Sequence, residues 1–187
     1  MSQPPTPNGQ KAPLNDNFPE IYLLKQQIAA SLEIAFSQQG FAEPSVSLLR
    51  VACNVSLRTL YKHYPSKETM IVAALNFRHQ RYITFLSTDL PEKGLAAVSH
   101  IFMQLEQWMI QFAPNGCMSM NALTAFPNNT LIRNAVSEHK RQVRDFLALH
   151  SLREDLANAI FILHEGVSSA WPLMGESVLN AAQESLL

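Results

Sequence analysis

Between Ser45 and Lys67 lie two short apolar-periodic segments, Val46 to Cys53 and Leu57 to His63, with only Asn54, Val55 and Ser56 between them. Three residues leave room only for a sharp turn from one helix into the next, which is the spacing of a helix-turn-helix. The turn chemistry agrees. Asn54 tolerates the left-handed backbone needed to leave a helix. Val55 can plug the corner, and Ser56 can accept a hydrogen bond from an unpaired amide at the start of the second helix. The stretch carries Arg50, Arg58, Lys62 and Lys67 but no Asp or Glu, in a chain whose formal net charge is −1, so its positive charge is local. Leu57, Arg58, Thr59, Tyr61, Lys62 and His63 offer cations, a hydroxyl, a phenol and an imidazole within a turn and a half of helix, groups that suit phosphates and base edges. A solvated amphipathic hairpin in an ordinary all-helical protein has the same spacing, and spacing alone does not choose between the two.

A chain of 187 residues, 47% apolar, is long enough for one domain or two small ones with a real core. Six Gly among much Ala, Leu, Gln, Ser and Met favour helix, and no extended alternating run of β-branched and aromatic residues supports a sheet, so the class is all-α. Residues 1–86 carry eight Lys or Arg against five acids, and residues 87–187 carry six against ten. A mildly basic front and an acidic back fit a nucleic-acid module joined to something else. Cys53 and Cys117 have no ligand-like spacing around them and are expected as reduced thiols. There is neither a membrane-length apolar run nor a signal-peptide layout, so a cytoplasmic protein with no membrane partner is expected.

In chain order, residues 1–17 hold four prolines and little to bury, and read as a flexible tail. Pro19 to Gln39 reads as a first helix, with Ile21, Leu24, Ile28, Leu32, Ala35 and Phe36 on one stripe and Gly40 at its end. Ser45 and Ser66 are expected caps of the second and fourth helices. A fourth helix, Glu68 to about Thr88, carries Met70, Ile71, Ala74 and Leu75 toward the reader and Tyr82, Phe85 and Leu86 toward the carboxy-terminal helices. Further helices are expected over Leu95 to Phe112, Cys117 to Ala125, Thr130 to Leu149, Glu154 to about Met174 and Glu176 to Leu187. That makes about nine in all. Arg133, Lys140, Arg141 and Arg144 read as a solvated face.

Ser45-Val46, Leu49, Ala52, Val55-Ser56, Thr59-Leu60-Tyr61, His63-Tyr64 and Pro65-Ser66-Lys67-Glu68 resemble the amino-terminal signature of the TetR family of transcriptional regulators. The resemblance runs without a gap from Ile28 to Leu75. Two positions depart from it: Arg50 stands where a small residue is usual, and Asn54 where glycine is usual. The resemblance implies a three-helix DNA-binding domain over 18–66 and a ligand-binding and dimerisation domain over 67–187, with 67–88 as connecting helix. It also implies that Tyr61, His63 and Lys67 grip DNA phosphates. Lys67 sits at a helix start, where unpaired amides already favour an anion. Leu57, Arg58 and Lys62 are expected to read bases, and Ser45, Ser47, Ser56 and Thr59 to join the backbone grip, on double-stranded DNA with a palindromic operator.

Met103, Trp108, Met109, Phe112, Met118, Met120, Phe126, Phe146 and Trp171 give an adaptable apolar interior, with Asn121, His139 and His164 as polar anchors for a small apolar or amphipathic ligand. The same residues also serve as plain core. Ile160, Leu163, Val167, Ala170, Trp171, Val178 and Ala182 form apolar stripes that resemble the last two family helices, which pair across a homodimer axis. His139, His164 and Glu165 lack metal-ligand spacing, and no phosphate loop, nucleophile motif or paired carboxylates occur. No metal, cofactor or enzymatic activity is therefore expected. The expected function is a ligand-responsive repressor. The competing reading, kept open by Arg50, is a small-molecule sequestering or interaction protein on the same scaffold with a degenerate DNA module.

Overall fold

A computed structural model of the chain describes residues 18–186. The tail expected over residues 1–17 lies outside the described residues. Within them there are nine α-helices and no strand. α1 (Phe18–Gln39) ends where Gly40 turns left-handed, φ 74°. α2 (Val46–Ala52) and α3 (Leu57–His63) come next, then α4 (Lys67–Leu86) and α5 (Leu95–Phe112). α6 (Met118–Ala125), α7 (Thr130–Ser151), a 3-10 turn at Glu154–Leu156, α8 (Ala157–Met174) and α9 (Glu176–Glu184) complete the chain. The expected all-α class is what is found, and helix ends differ from those expected by a few residues.

Two hydrophobic cores share α4. Leu32 and Phe36 of α1, Leu49 of α2 and Leu60 of α3 close on Met70, Ile71, Ala74 and Leu75 in the first half of α4. Leu86 at the far end of α4 belongs to the other core, with Phe102, Leu105 and Trp108 of α5, Leu147 of α7, and Val167, Trp171 and Leu179 of α8 and α9. At 1.5 Å per residue α4 is about 30 Å long, so one rod spans both cores. The first core is not confined to residues 18–66. Met118 and Ala122 of α6 and Ile132 and Val136 of α7 pack into it as well. The reader is therefore seated on the carboxy-terminal helices through α6 and α7 as well as through α4.

A buried ion cluster reinforces that seat. Glu33 of α1, 3% exposed, accepts from Arg78 at 2.5 Å and from Arg81 at 2.6 Å, both on α4. The other arm of Arg78 donates to the Phe112 carbonyl at the end of α5, 2.6 Å away. One carboxylate thus fastens α1 to α4, and one guanidinium fastens α4 to α5.

Candidate DNA interface and ligand cavity

The turn between α2 and α3 is built as its residue types require. Ser45 caps α2, accepting from the Leu48 amide, and Ser56 caps α3, accepting from the Thr59 amide at 3.0 Å. Asn54 takes φ 51°, so it occupies the left-handed position between the two helices. Leu49, Cys53 and Leu60 are buried beneath. Tyr64 closes the far end of α3, its buried hydroxyl donating to the Lys25 carbonyl of α1 at 3.0 Å. Burial raises the Tyr64 phenol to about 12 and the Cys53 thiol to about 11, so both stay neutral. The angle of α3 is set by caps and core, which leaves its outer face free for recognition.

That outer face holds Leu57, Arg58, Tyr61 and Lys62, all exposed, with Ser47 exposed on α2 and Ser45 and Ser56 exposed at the caps. No salt bridge involves Arg58 or Lys62 among the described residues, so both cations point into solvent with their charge unmatched. Thr59 is half-buried and its hydroxyl shares a hydrogen bond with Ser56 at 2.8 Å, which makes it part of the cap. His63 is half-buried. Burial, with Lys62 and Lys25 nearby, lowers its pKa and favours the neutral ring. Lys67 donates to the Ala42 carbonyl at 2.9 Å, tying the start of α4 to the loop before α2. Two of its three N–H groups are left for an anion. Arg50 is half-buried in the last turn of α2, between exposed Leu48 and Val51, and it leaves the core beneath undisturbed.

Behind the reader, α4, α5, α6, α7 and α8 line a partly open cavity of about 60 Å³. Of the residues expected to hold a ligand, Trp108, Met109, Met118, His139 and His164 line it. The others do not. Met103 and Met120 point outward, each about half exposed, because they fall on the solvent face of α5 and α6. Asn121 and Phe112 border a separate cleft between the end of α1 and the loop before α6. Phe146 packs at the edge of the carboxy-terminal core, its ring 4.5 Å from His150. Arg78, Tyr82, Cys117 and Lys140 line the cavity unanticipated.

The polar wall is wired together. The Tyr82 hydroxyl bonds to His164 Nε2, and His164 Nδ1 lies 3.1 Å from Glu165. The other Glu165 oxygen accepts from Lys140 at 2.5 Å, and Lys140 also donates to Cys117 Sγ at 3.3 Å. Lys140 is therefore not solvated as its neighbours on α7 are. Arg141 and Arg144 pair instead with Glu138, Asp145 and Glu154 at the surface. Burial drives His164 toward the neutral form. Burial alone would raise the Glu165 carboxyl, but His164 and Lys140 hold it down at about 2. Gly116 seats the segment. Its φ is 84°, and a Cβ there would lie 3.3 Å from both Pro172 and the Ser168 carbonyl.

The residues expected at a dimer face lie largely within this subunit. Ile160, Val167, Trp171 and Ala182 are buried in this subunit's own core, with Leu163 and Val178 packed against it, and Ala170 is half-buried. They turn inward because α8 and α9 cover α5 and α7. The outward strip of α8 is Ala159, Ile162, Gly166, Ser169 and Leu173. Ile162 is 67% and Leu173 90% exposed.

Residues 28–74 match the family model described as bacterial regulatory proteins, tetR family. Among solved structures, the chain is similar to a TetR-family transcriptional regulator from Streptomyces coelicolor, with 16% identity, 89% of this chain and 93% of that one covered, and a TM-score of 0.72. A TetR regulator from Chloroflexus aurantiacus J-10-FL is 18% identical, covering 90% and 94%, at 0.68. One from Legionella pneumophila is 18% identical, covering 86% and 93%, at 0.67. A capped helix-turn-helix with a bare cationic face, seated on this all-helical body, defines a DNA-binding transcriptional regulator. Residues 28–74 match the TetR family's amino-terminal module, and the fold of the described residues is similar to that of TetR-family regulators. No helix among the described residues is long and apolar enough to cross a membrane.

Proposed function

We propose that this regulator binds a palindromic operator as a homodimer, acts as a repressor, and releases DNA when a small ligand enters the cavity behind α4. The observation that carries the reading is the exposed face of α3. Leu57, Arg58 and Lys62 are held outward by the Ser56 cap on one side and by Tyr64 on the other. Placed in a major groove, that face would read bases through Arg58 and Lys62. Ser45, Ser47, Tyr61, His63 and Lys67 would meet the flanking phosphates. Ser56 and Thr59, bonded to each other, would keep α3 at its angle.

Pairing of two subunits across the outward strip of α8 would bury Ile162 and Leu173, and Gly166 and Ser169 between them allow close approach. A twofold axis there demands a twofold DNA site. Release comes from differential affinity. A ligand that binds better when α4 is shifted favours the conformer whose readers are misplaced. The test is selection of a binding site from a random DNA pool by the full chain. A palindromic consensus is expected, and Arg58→Ala should weaken binding to it by ~10- to 100-fold while the dimer persists. Recovery of no consensus would overturn the reading in favour of a sequestering protein.

A further inference from the structure

Trp108 also borders a second, more open cleft of about 360 Å³ between the far half of α4 and the end of α5. Its walls are aromatic: Phe77 and Phe85 from α4, Trp108 and Phe112 from α5. Phe85 meets Trp108 and Phe112 edge-on, with ring centres 5.5 and 5.9 Å away. Among the described residues that line it there is no Asp or Glu, and Arg81 is the one charged side chain. The guanidinium carbon of Arg81 lies 5.0 Å from the centre of the Phe112 ring, 5.7 Å from Trp108 and 6.0 Å from Phe77. The charged end of the side chain, and not only its stem, therefore sits among these rings.

That guanidinium is left incomplete in charge and in hydrogen bonding. Glu33 is the one carboxylate for two cations, giving one oxygen to Arg78 and the other to Arg81. Arg78 is the more buried and has the Phe112 carbonyl as well, so the surplus positive charge falls to Arg81, whose side chain is 36% exposed. Of the five N–H groups of Arg81, only one on Nη1 is used, by Glu33, among the described residues. Nε and Nη2 have no protein partner there, and neither is enclosed, so both open to solvent. Nε–H and one Nη2–H run parallel and form a fork that takes a carboxylate with two bonds at once. Glu33 thus fixes the guanidinium by one corner and leaves that fork bare.

DNA does not supply the missing anion. Arg81 is fourteen residues along α4 from Lys67, about 21 Å from the end of the helix that adjoins the reader. The outward strip of α8 contributes nothing to the cleft either. What fits is a small molecule with a carboxylate for the fork and a flat apolar body for the aromatic walls. A neutral amide has one acceptor and would turn its NH₂ toward the cation. A carboxylate without a body would leave the rings uncovered.

We propose that this α4–α5 cleft binds small aromatic carboxylates, with the carboxylate bridging Arg81 Nε and Nη2 and the ring against Phe85 and Phe112. The site is separate from the cavity behind the reader and does not depend on it. Titration calorimetry of the full chain with benzoate, benzamide and acetate tests the assignment. Benzoate is expected to bind at least about tenfold more tightly than benzamide, which lacks the charge, and than acetate, which lacks the ring. Arg81→Lys keeps a cation beside Glu33 but removes the fork. With folding checked by its melting curve, it should weaken benzoate by at least about tenfold. Lys140→Gln alters the other cavity and should leave benzoate affinity unchanged. Equal affinity for benzoate and benzamide in the unaltered protein, or no binding of benzoate, would overturn the proposal without any variant. So would loss of benzoate binding in Lys140→Gln with retention in Arg81→Lys, which would put the ligand in the other cavity.

Discussion

His139 shows how a single residue joins stability to the cavity. Its imidazole is folded into a site where burial, His79 and Lys140 all oppose protonation and only Glu138 favours it. The unfolded ring takes up a proton near pH 6.5, whereas the folded one does so only at about 4. Stability from this group is therefore complete above pH 6.5 and lost as pH falls toward 4. The stacked His79, also lowered by burial, adds in the same direction. Glu165, held at about 2, contributes in a separate window, lost as pH falls from about 4.5 toward 2. Urea unfolding at a series of pH values should show His139→Leu with a shallower slope between pH 6.5 and 4, by about 1.4 kcal/mol per pH unit. An unchanged slope would mean that the ring is protonated in the folded protein.

Among the elements, α4 matters most, because its two halves belong to different cores and its Arg78 touches α1, α5 and the cavity at once. Glu33→Gln removes the carboxylate that matches two guanidiniums and leaves Arg78 buried without its counter-ion. A loss of ~3–5 kcal/mol is expected in chemical denaturation. A loss below about 1 kcal/mol would show that water replaces the carboxylate. Helix-scale structure was legible in the sequence where periodicity and punctuation agreed. Ser45, Ser56 and Ser66 cap as their types predict, and Asn54 adopts the backbone that its short amide tolerates. The cavity was less legible, because its polar lining comes from charged residues set within otherwise apolar stripes. Arg78 among Ala74, Leu75 and Tyr82 was the signal, since a lone charge on a buried face needs a partner. Which partner it finds depends on how helices far apart in sequence meet. Met103 and Met120 were misplaced for the same reason: composition marks them as pocket-forming, but their faces of α5 and α6 look outward.

For the whole molecule, recognition of a twofold DNA site requires two subunits. The outward strip on α8 puts Ile162 and Leu173 into solvent, and Gly166 between them offers no side chain to keep a partner away. Ile162→Asp with Leu173→Asp should convert a dimer into a monomer by light scattering, with little change in melting temperature, because neither side chain supports the subunit's own core. A double variant that still elutes as a dimer would move the axis elsewhere. Sequence reasoning placed a dimer face on α8 and α9 through residues that pack in this subunit's own core. Apolar periodicity marks a face as buried and does not say whether a neighbouring helix or a second copy covers it. The central claim, that α3 grips DNA through charge held outward, is most directly tested by the salt dependence of affinity for a selected palindromic site. The logarithm of the association constant should fall linearly with the logarithm of salt, losing about 0.9 in slope per phosphate contact, and Lys67→Ala should flatten it. A slope near zero in the unaltered protein would contradict the claim.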